Sequence, residues 1–166
     1  MRAMALLAEA GYENGLDITY TVPTRPYAQA VSEIVVSQLK DVGINVTIKS
    51  SEFPAVWLDE VFTNHDYQMT TVLAVEARDI LTVFNNPEYY IGYDNSVIAP
   101  IAAEADQADE AGYVSGMQEV ARQIVDDAAS GVLFLFPNIV VAKAGLEGLP
   151  ENAIIEALNL TDLHWK

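Results

Sequence analysis

Between residues 16 and 75 the chain switches back and forth between two hydrophobic periods. Residues 16–22, Leu-Asp-Ile-Thr-Tyr-Thr-Val, alternate apolar and polar and are rich in β-branched and aromatic side chains, which predicts a strand with one face on a core. Pro23 and Pro26 interrupt it. From Tyr27 onward, Ala30, Val31, Ile34, Val35 and Leu39 recur at three- and four-residue spacing, with Gly43 and then Ile44 beyond. This is the pattern of an amphipathic helix with a glycine stop. Residues 44–49 alternate again, residues 51–54 open a second helix carrying Trp57, Leu58, Val61 and Phe62, and residues 67–75 read as a third strand. Short connections between alternating strands and helices predict right-handed crossovers, hence an α/β fold with a mainly parallel sheet flanked by helices. Such sheets bind ligands at the carboxyl ends of their strands, which singles out residues 23–27, 51–53 and 74–79.

Outside that core the pattern is less regular. Residues 2–10 carry Met4, Leu6, Leu7 and Ala10 and stop at Gly11, as a short helix does. Residues 77–93 contain Pro87 and the aromatic residues Phe84, Tyr89, Tyr90 and Tyr93 without a sustained period and read as irregular. Asp94-Asn95-Ser96 has the composition of a helix cap before residues 97–105, and a long amphipathic helix follows from Tyr113 through Ala128, ending near Gly131. Residues 132–136, Val-Leu-Phe-Leu-Phe, are uniformly apolar. A run this short and apolar predicts a central strand buried on both faces, with Leu133 and Leu135 in the core. Pro137-Asn138 breaks it, residues 139–142 resume an extended run, and residues 145–166 form a tail without clear period.

Composition narrows the function classes. The 166 residues are 51% hydrophobic, enough for one domain with its own core. There is no cysteine, which excludes disulfides, thiolate metal sites and a cysteine nucleophile. No apolar run reaches the ~18 to 20 residues of a membrane span, and residues 1–7 lack the length and cleavage site of a signal peptide. The net charge is −16, from 24 acids against 8 Lys and Arg. A domain this acidic repels phosphate backbones, so nucleic acid is not an expected partner; the charge either keeps the surface soluble or draws a cationic ligand.

The parts of most catalytic sites are missing. His65 and His164 stand alone, and there is no Gly-x-Ser-x-Gly elbow, glycine-rich phosphate loop or His-Glu-x-x-His. Nothing calls for a metal or a cofactor. Asp126-Asp127 and Asp109-Glu110 are neighbours on helices and point to different sides, as solvated surface does. Glu76-Ala77-Arg78-Asp79 is different, because it directly follows an apolar strand at the end where ligands bind. Arg78 there suits a carboxylate in fork geometry, and Glu76 or Asp79 suits an amine or hydroxyls; the competing reading is a local salt-bridged loop. Tyr27, Phe53, Phe84 and Phe136 lie near the same expected edge, either completing the core or flooring a pocket.

Three stretches in order carry a resemblance: residues 5–15 (Ala-Leu-Leu-Ala-Glu-Ala-Gly-Tyr-Glu-Asn-Gly), residues 38–46 (Gln-Leu-Lys-Asp-Val-Gly-Ile-Asn-Val) and residues 66–70 (Asp-Tyr-Gln-Met-Thr). Tyr93-Asp94-Asn95-Ser96, residues 120–124 and residues 132–142 continue it. Together they resemble the carboxy-terminal lobe of family 5 solute-binding proteins, the oligopeptide-, dipeptide- and nickel-binding class that serves ABC importers.

The resemblance implies a type II periplasmic-binding-protein-like lobe over residues 1–166, with residues 145–166 a tail packing on it or crossing from it. It implies a non-catalytic clamp that closes on a peptide or other small solute between two lobes and delivers it to ABC permease subunits. Its partners would be that ligand, the permease and the missing amino-terminal lobe of the same protein. It would be exported, as a periplasmic protein or a cell-surface lipoprotein. The implied ligand contacts are Phe53, at the place of a cleft aromatic, with Val75, Glu76, Arg78, Asp79, Phe136 and Asn138. Peptide-binding members usually carry Gly-Trp-x-x-Asp after the third strand, the acid holding the peptide amine. Ala74 and Ala77 stand at the places of that tryptophan and aspartate, with Glu76 and Asp79 one and two residues from the latter. A non-peptide ligand such as an oligosaccharide or a metal chelate is therefore an alternative. A small α/β enzyme using Glu76 or Asp79 as base, or an interaction protein using its acidic face, are readings of other classes.

Overall fold

The computed structural model describes residues 2–74, 79–135, 137, 139–150 and 160–166. After a short helix α1 (Arg2–Glu9), strand β1 (Leu16–Pro23) lies between β2 (Ile44–Ser51) and β3 (Met69–Thr70) and is parallel to both. Leu16 stands opposite Ile44 and Pro23 opposite Ser51, while Tyr20 and Thr21 face Met69 and Thr70. The central position explains why β1 departs from alternation at its carboxyl end, where Tyr20, Thr21, Val22 and Pro23 are all buried. β2 is an edge strand, and from Thr47 to Ser50 it is exposed, with Lys49 on the edge.

Helix α2 (Pro26–Lys40) begins with a proline, whose missing N–H costs no intrahelical bond in the first turn. It lays Ala28, Val35 and Val36 over Tyr20, Val22 and Val46. Its return to the sheet is tight. Gly43 (φ +93°) gives its carbonyl to the Leu16 N–H at 3.1 Å, and a Cβ on Gly15 (φ +100°) would stand 2.8 Å from that same oxygen. Both positions therefore need glycine.

α3 (Ala55–Trp57) runs straight into a π-helical turn at Leu58–Thr63. This places Trp57 and Val61 in a second apolar cluster with Val83 and Tyr90. β3 is shorter than the nine residues its apolar pattern suggests. Side chains take the place of ladder partners on either side of it: Gln68 Oε1 accepts from the Thr19 N–H at 2.7 Å, and the Tyr27 hydroxyl accepts from the Leu73 N–H at 3.0 Å.

Beyond β3, α4 (Asp79–Phe84) forms inside the segment whose pattern reads as irregular. The 94–96 cap expected from composition does not form: Val97 is the N-cap of α5 (Ile98–Gln107) and no side chain caps it, while Asp94 Oδ1 accepts from the Ser96 N–H at 3.0 Å within the turn before it. Asp109 caps α6 (Glu110–Asp126) by accepting from the Gly112 N–H at 2.9 Å. A Cβ on Gly116 would meet Ala105 Cβ at 2.5 Å, so glycine there lets α5 and α6 approach closely. The two helices build a third cluster of Tyr93, Ile98, Ala102, Val120 and Ile124, and Phe84 and Ile91 pack against both this cluster and that of Trp57. β4 (Leu146–Glu147) and β5 (His164–Trp165) pair antiparallel as a separate small ladder.

The run at residues 132–135 overturns the central buried strand expected there. It joins no ladder, and Val132, Leu133 and Leu135 are 86%, 52% and 90% exposed. Among the described residues the parallel sheet has three strands, in the order β2-β1-β3, and this run pairs with none of them. Ile139 and Val141 are exposed in the same way. No helix among the described residues is long and apolar enough to cross a membrane. The fold is an α/β lobe whose parallel sheet is flanked by helices.

Candidate functional site

The carboxyl ends of β1 and β2 bring Thr24, Arg25, Ser51 and Phe53 together. β1 continues its ladder one step past Pro23, because the Thr24 N–H donates to the Ser51 carbonyl at 2.9 Å. Thr24 Oγ1 then accepts from the Phe53 N–H at 3.1 Å. These two bonds hold the β1 and β2 ends side by side. In consequence the exposed Arg25 guanidinium lies over the half-buried Phe53 ring, 4.8 Å from its centroid.

Phe53 is itself backed by Trp57, with ring centroids 5.7 Å apart and planes tilted by 50°. Trp57 is fixed in turn. Its Nε1–H donates to Thr70 Oγ1 at 3.1 Å, and the Thr70 hydroxyl donates to the Thr21 carbonyl at 2.8 Å. The aromatic floor is thus tied to both β1 and β3. The buried Ser51 hydroxyl donates to Glu60 Oε2 at 3.2 Å, and Glu60 Oε1 pairs with Lys49 Nζ at 3.2 Å. Lys49 is therefore already matched by an acid, whereas Arg25, also exposed at this edge, lies over an aromatic ring.

Two tyrosines beneath the edge are held neutral. Burial pushes the Tyr20 hydroxyl above the usual tyrosine range, opposed in part by its hydrogen bond with the Thr71 side chain. Burial also raises Tyr67, whose hydroxyl donates to the Tyr90 carbonyl. Chemically the edge offers a guanidinium on an aromatic plate over a rigid polar frame. That suits recognition of a carboxylate or other planar anion. No group of three His, Asp or Glu side chains among the described residues converges as metal ligands would.

Of the residues singled out in the sequence, Phe53 stands at this edge, in the company of Thr24 and Arg25. Val75, Glu76, Arg78, Phe136 and Asn138 lie outside the described residues, and Asp79 opens α4 with its side chain outside them. Phe84 does not join the edge. It meets the Tyr93 ring edge-on at 5.7 Å and completes the core between two clusters. Thr24 and Arg25 belong to the 23–27 segment that the strand-end rule marks, and Arg25 is the one charged residue in it, the signal that distinguishes it as a candidate contact.

Two shallow depressions run along α6, one lined by Asp109, Val114 and Gln118 and the other by Ala121, Arg122 and Val125. Both are away from the strand ends.

Comparison with known proteins fits this geometry. Residues 1–91 match the family described as bacterial extracellular solute-binding proteins, family 5 Middle. Among solved structures, the chain is similar to the oligopeptide-binding protein AppA from Bacillus subtilis in complex with a nonapeptide (TM-score 0.64, 19% identity, 77% of this chain and 30% of that one). It is similar to the ABC transporter-associated periplasmic binding protein DppA from Helicobacter pylori in complex with the peptide STSA (TM-score 0.62, 18% identity, 76% of this chain and 27% of that one). It also resembles the binding protein AgaA in complex with agropinic acid from A. tumefacien R10 (TM-score 0.64, 18% identity, 76% of this chain and 28% of that one). At such identities the likeness establishes the fold, and the chain matches 27 to 30% of the length of these proteins. No curated protein matches it at a significant level. With its first 91 residues fitting that family and its parallel sheet folded as in those binding proteins, the chain belongs to the bacterial extracellular solute-binding proteins of family 5.

Proposed function

We propose that residues 1–166 are the carboxy-terminal lobe of a two-lobed, non-catalytic capture protein, with residues 145–166 a tail of that lobe, and that it delivers a carboxylate-bearing solute to an ABC permease. The observation that carries this reading is Arg25 held over Phe53 at the strand-end edge. Arg25 is exposed while Lys49 is already paired with Glu60, so among the described residues at this edge Arg25 is the cation offered to a ligand in this reading. Peptides and agropinic acid, the ligands of the similar structures, share a carboxylic acid, which is the chemistry this edge fits.

The exposed apolar run at residues 132–135 supports a second lobe. Val132 and Leu135 present apolar surface that a partner in the same protein would cover. Ligand contacts from both lobes then stabilise the closed form by hinge closure. Glu76, Arg78 and Asp79 with Val75, Phe136 and Asn138 complete the contact set in this reading, and the protein is exported to the periplasm or held at the cell surface as a lipoprotein. Ala77 at the place of the amine-binding aspartate favours a ligand without a free amine beside the peptide reading.

Mass spectrometry of solutes retained by the full-length protein tests this directly. The expected result is a carboxylic acid in the wild type whose affinity falls about tenfold or more in Arg25→Ala, the loss typical of one hydrogen bond to a charged group. Retention of an uncharged solute with equal affinity in Arg25→Ala would sink the assignment.

A further inference from the structure

We infer that Thr24 and Tyr27 act as a two-ended brace that fixes the segments after β2 and β3 against the end of β1, which makes them positioning residues for a ligand held at this edge. Two backbone N–H groups, each lying just past the end of a strand, carry the inference. β2 ends at Ser51 and β3 at Thr70, so the Phe53 and Leu73 N–H groups have no ladder carbonyl to meet. Both are accepted instead by side chains just beyond β1, one in the β1-to-α2 loop and one in the first turn of α2: Phe53 by Thr24 Oγ1 at 3.1 Å, across 29 residues of chain, and Leu73 by the Tyr27 hydroxyl at 3.0 Å, across 46.

The brace is rooted at each end. The Thr24 backbone is tied to the Ser51 carbonyl, and the Tyr27 ring packs with Tyr20, Val22 and Ala28 in the core under the sheet. Arg25 lies between the two acceptors in sequence, so the loop that carries the cation also sets the distance from the cation to Phe53. The Leu73 end fixes the course of residues 71–73 as the chain leaves β3. A ligand would therefore meet strand-end segments that are ordered before it arrives, and less of its binding free energy is spent on ordering them.

This role rests on the capture reading, and the two are tested separately on the full-length protein. Amide hydrogen exchange reads the brace alone. Thr24→Val is expected to speed exchange at Phe53, and Tyr27→Phe at Leu73, by about tenfold, while Thr24→Ser, which keeps the acceptor oxygen, exchanges at the wild-type rate. Retention of a defined pool of tri- to pentapeptides reads the ligand role. The expected result, at a temperature well below the transition where every variant is fully folded, is a loss of about 3- to 10-fold for Thr24→Val and Tyr27→Phe and recovery in Thr24→Ser, with melting temperatures lowered by no more than a few degrees. Unchanged exchange overturns the brace. Faster exchange with wild-type retention overturns its ligand role, as does a loss of retention that merely follows a fall in melting temperature. If the wild type retains no peptide, peptide capture fails first and the ligand role falls with it, while exchange still decides whether the brace exists.

Discussion

Tyr93 shows how much one hydroxyl depends on its surroundings. It is buried among Ile98, Ala102, Val120 and Ile124, and its hydroxyl donates to Asp127 Oδ2. Burial first, then the hydrogen bond and charge of Asp127 and the charge of Asp94, push its pKa up to about 12. A group whose folded pKa lies above its unfolded value stabilises the fold below the unfolded pKa and ceases to as pH rises through the folded one. Stability should therefore fall between about pH 10 and about pH 12, and Tyr93→Phe should flatten that fall while costing about 0.5 to 1.5 kcal/mol at neutral pH. Denaturant melts across alkaline pH check both. Asp127 also accepts from Gln123 Nε2 at 2.9 Å, so half of the Asp126-Asp127 pair is a structural acceptor rather than solvated decoration. A surface control for ligand work should be Asp126→Ala. Adjacent acids in a sequence carry no mark of which one lies beside a buried hydroxyl 34 residues away. Phe53 was legible as an edge residue because a strand end and an aromatic suffice to suggest it. The role of Arg25 required the Thr24 bond that places its loop beside Phe53.

At the scale of elements, legibility followed the range of the interactions. β1, α2 and β2 were readable because each short segment shows its own period and its partner follows within a few turns of chain. β3 was overread, since its apolar residues do not reveal that Gln68 and Tyr27 side chains replace ladder partners on either side of Met69 and Thr70. The α5–α6 hairpin was read as two helices in order, but their close contact rests on Gly116, whose sequence context gives no hint of it. Gly116→Ala is a clean test of that contact. Alanine is favoured over glycine in a helix by about 1 kcal/mol, yet the new Cβ would sit 2.5 Å from Ala105 Cβ, and neither methyl can rotate away. Overpacking of this kind typically costs about 1 to 3 kcal/mol, so the variant should melt lower than the wild type. A higher melting temperature would mean that the helices separate freely and that the contact is slack.

The whole molecule is decided by what the apolar run at residues 132–135 meets. Uniform apolarity states that a segment is to be buried without saying by what, and for a chain that matches 27 to 30% of the length of similar proteins the covering surface need not lie within it. Leu135 is the sharpest probe, being 90% exposed here. In the 166-residue chain Leu135→Ala removes surface that water already touches, and the cost should stay below about 0.5 kcal/mol. In the full-length protein, if the amino-terminal lobe covers the run, the same change loses transfer energy and leaves a cavity, for about 2 to 5 kcal/mol. Urea unfolding of both forms, each with and without the substitution, separates the cases, because the difference between the two costs cancels any effect on the unfolded chain that the forms share. A large cost confined to the full-length protein would show that the run is an interface between lobes. Equal and small costs in both would place it at the surface of the whole protein, and the apolar cover expected from a second lobe would have to be sought at Ile139 and Val141, which are exposed in the same chain.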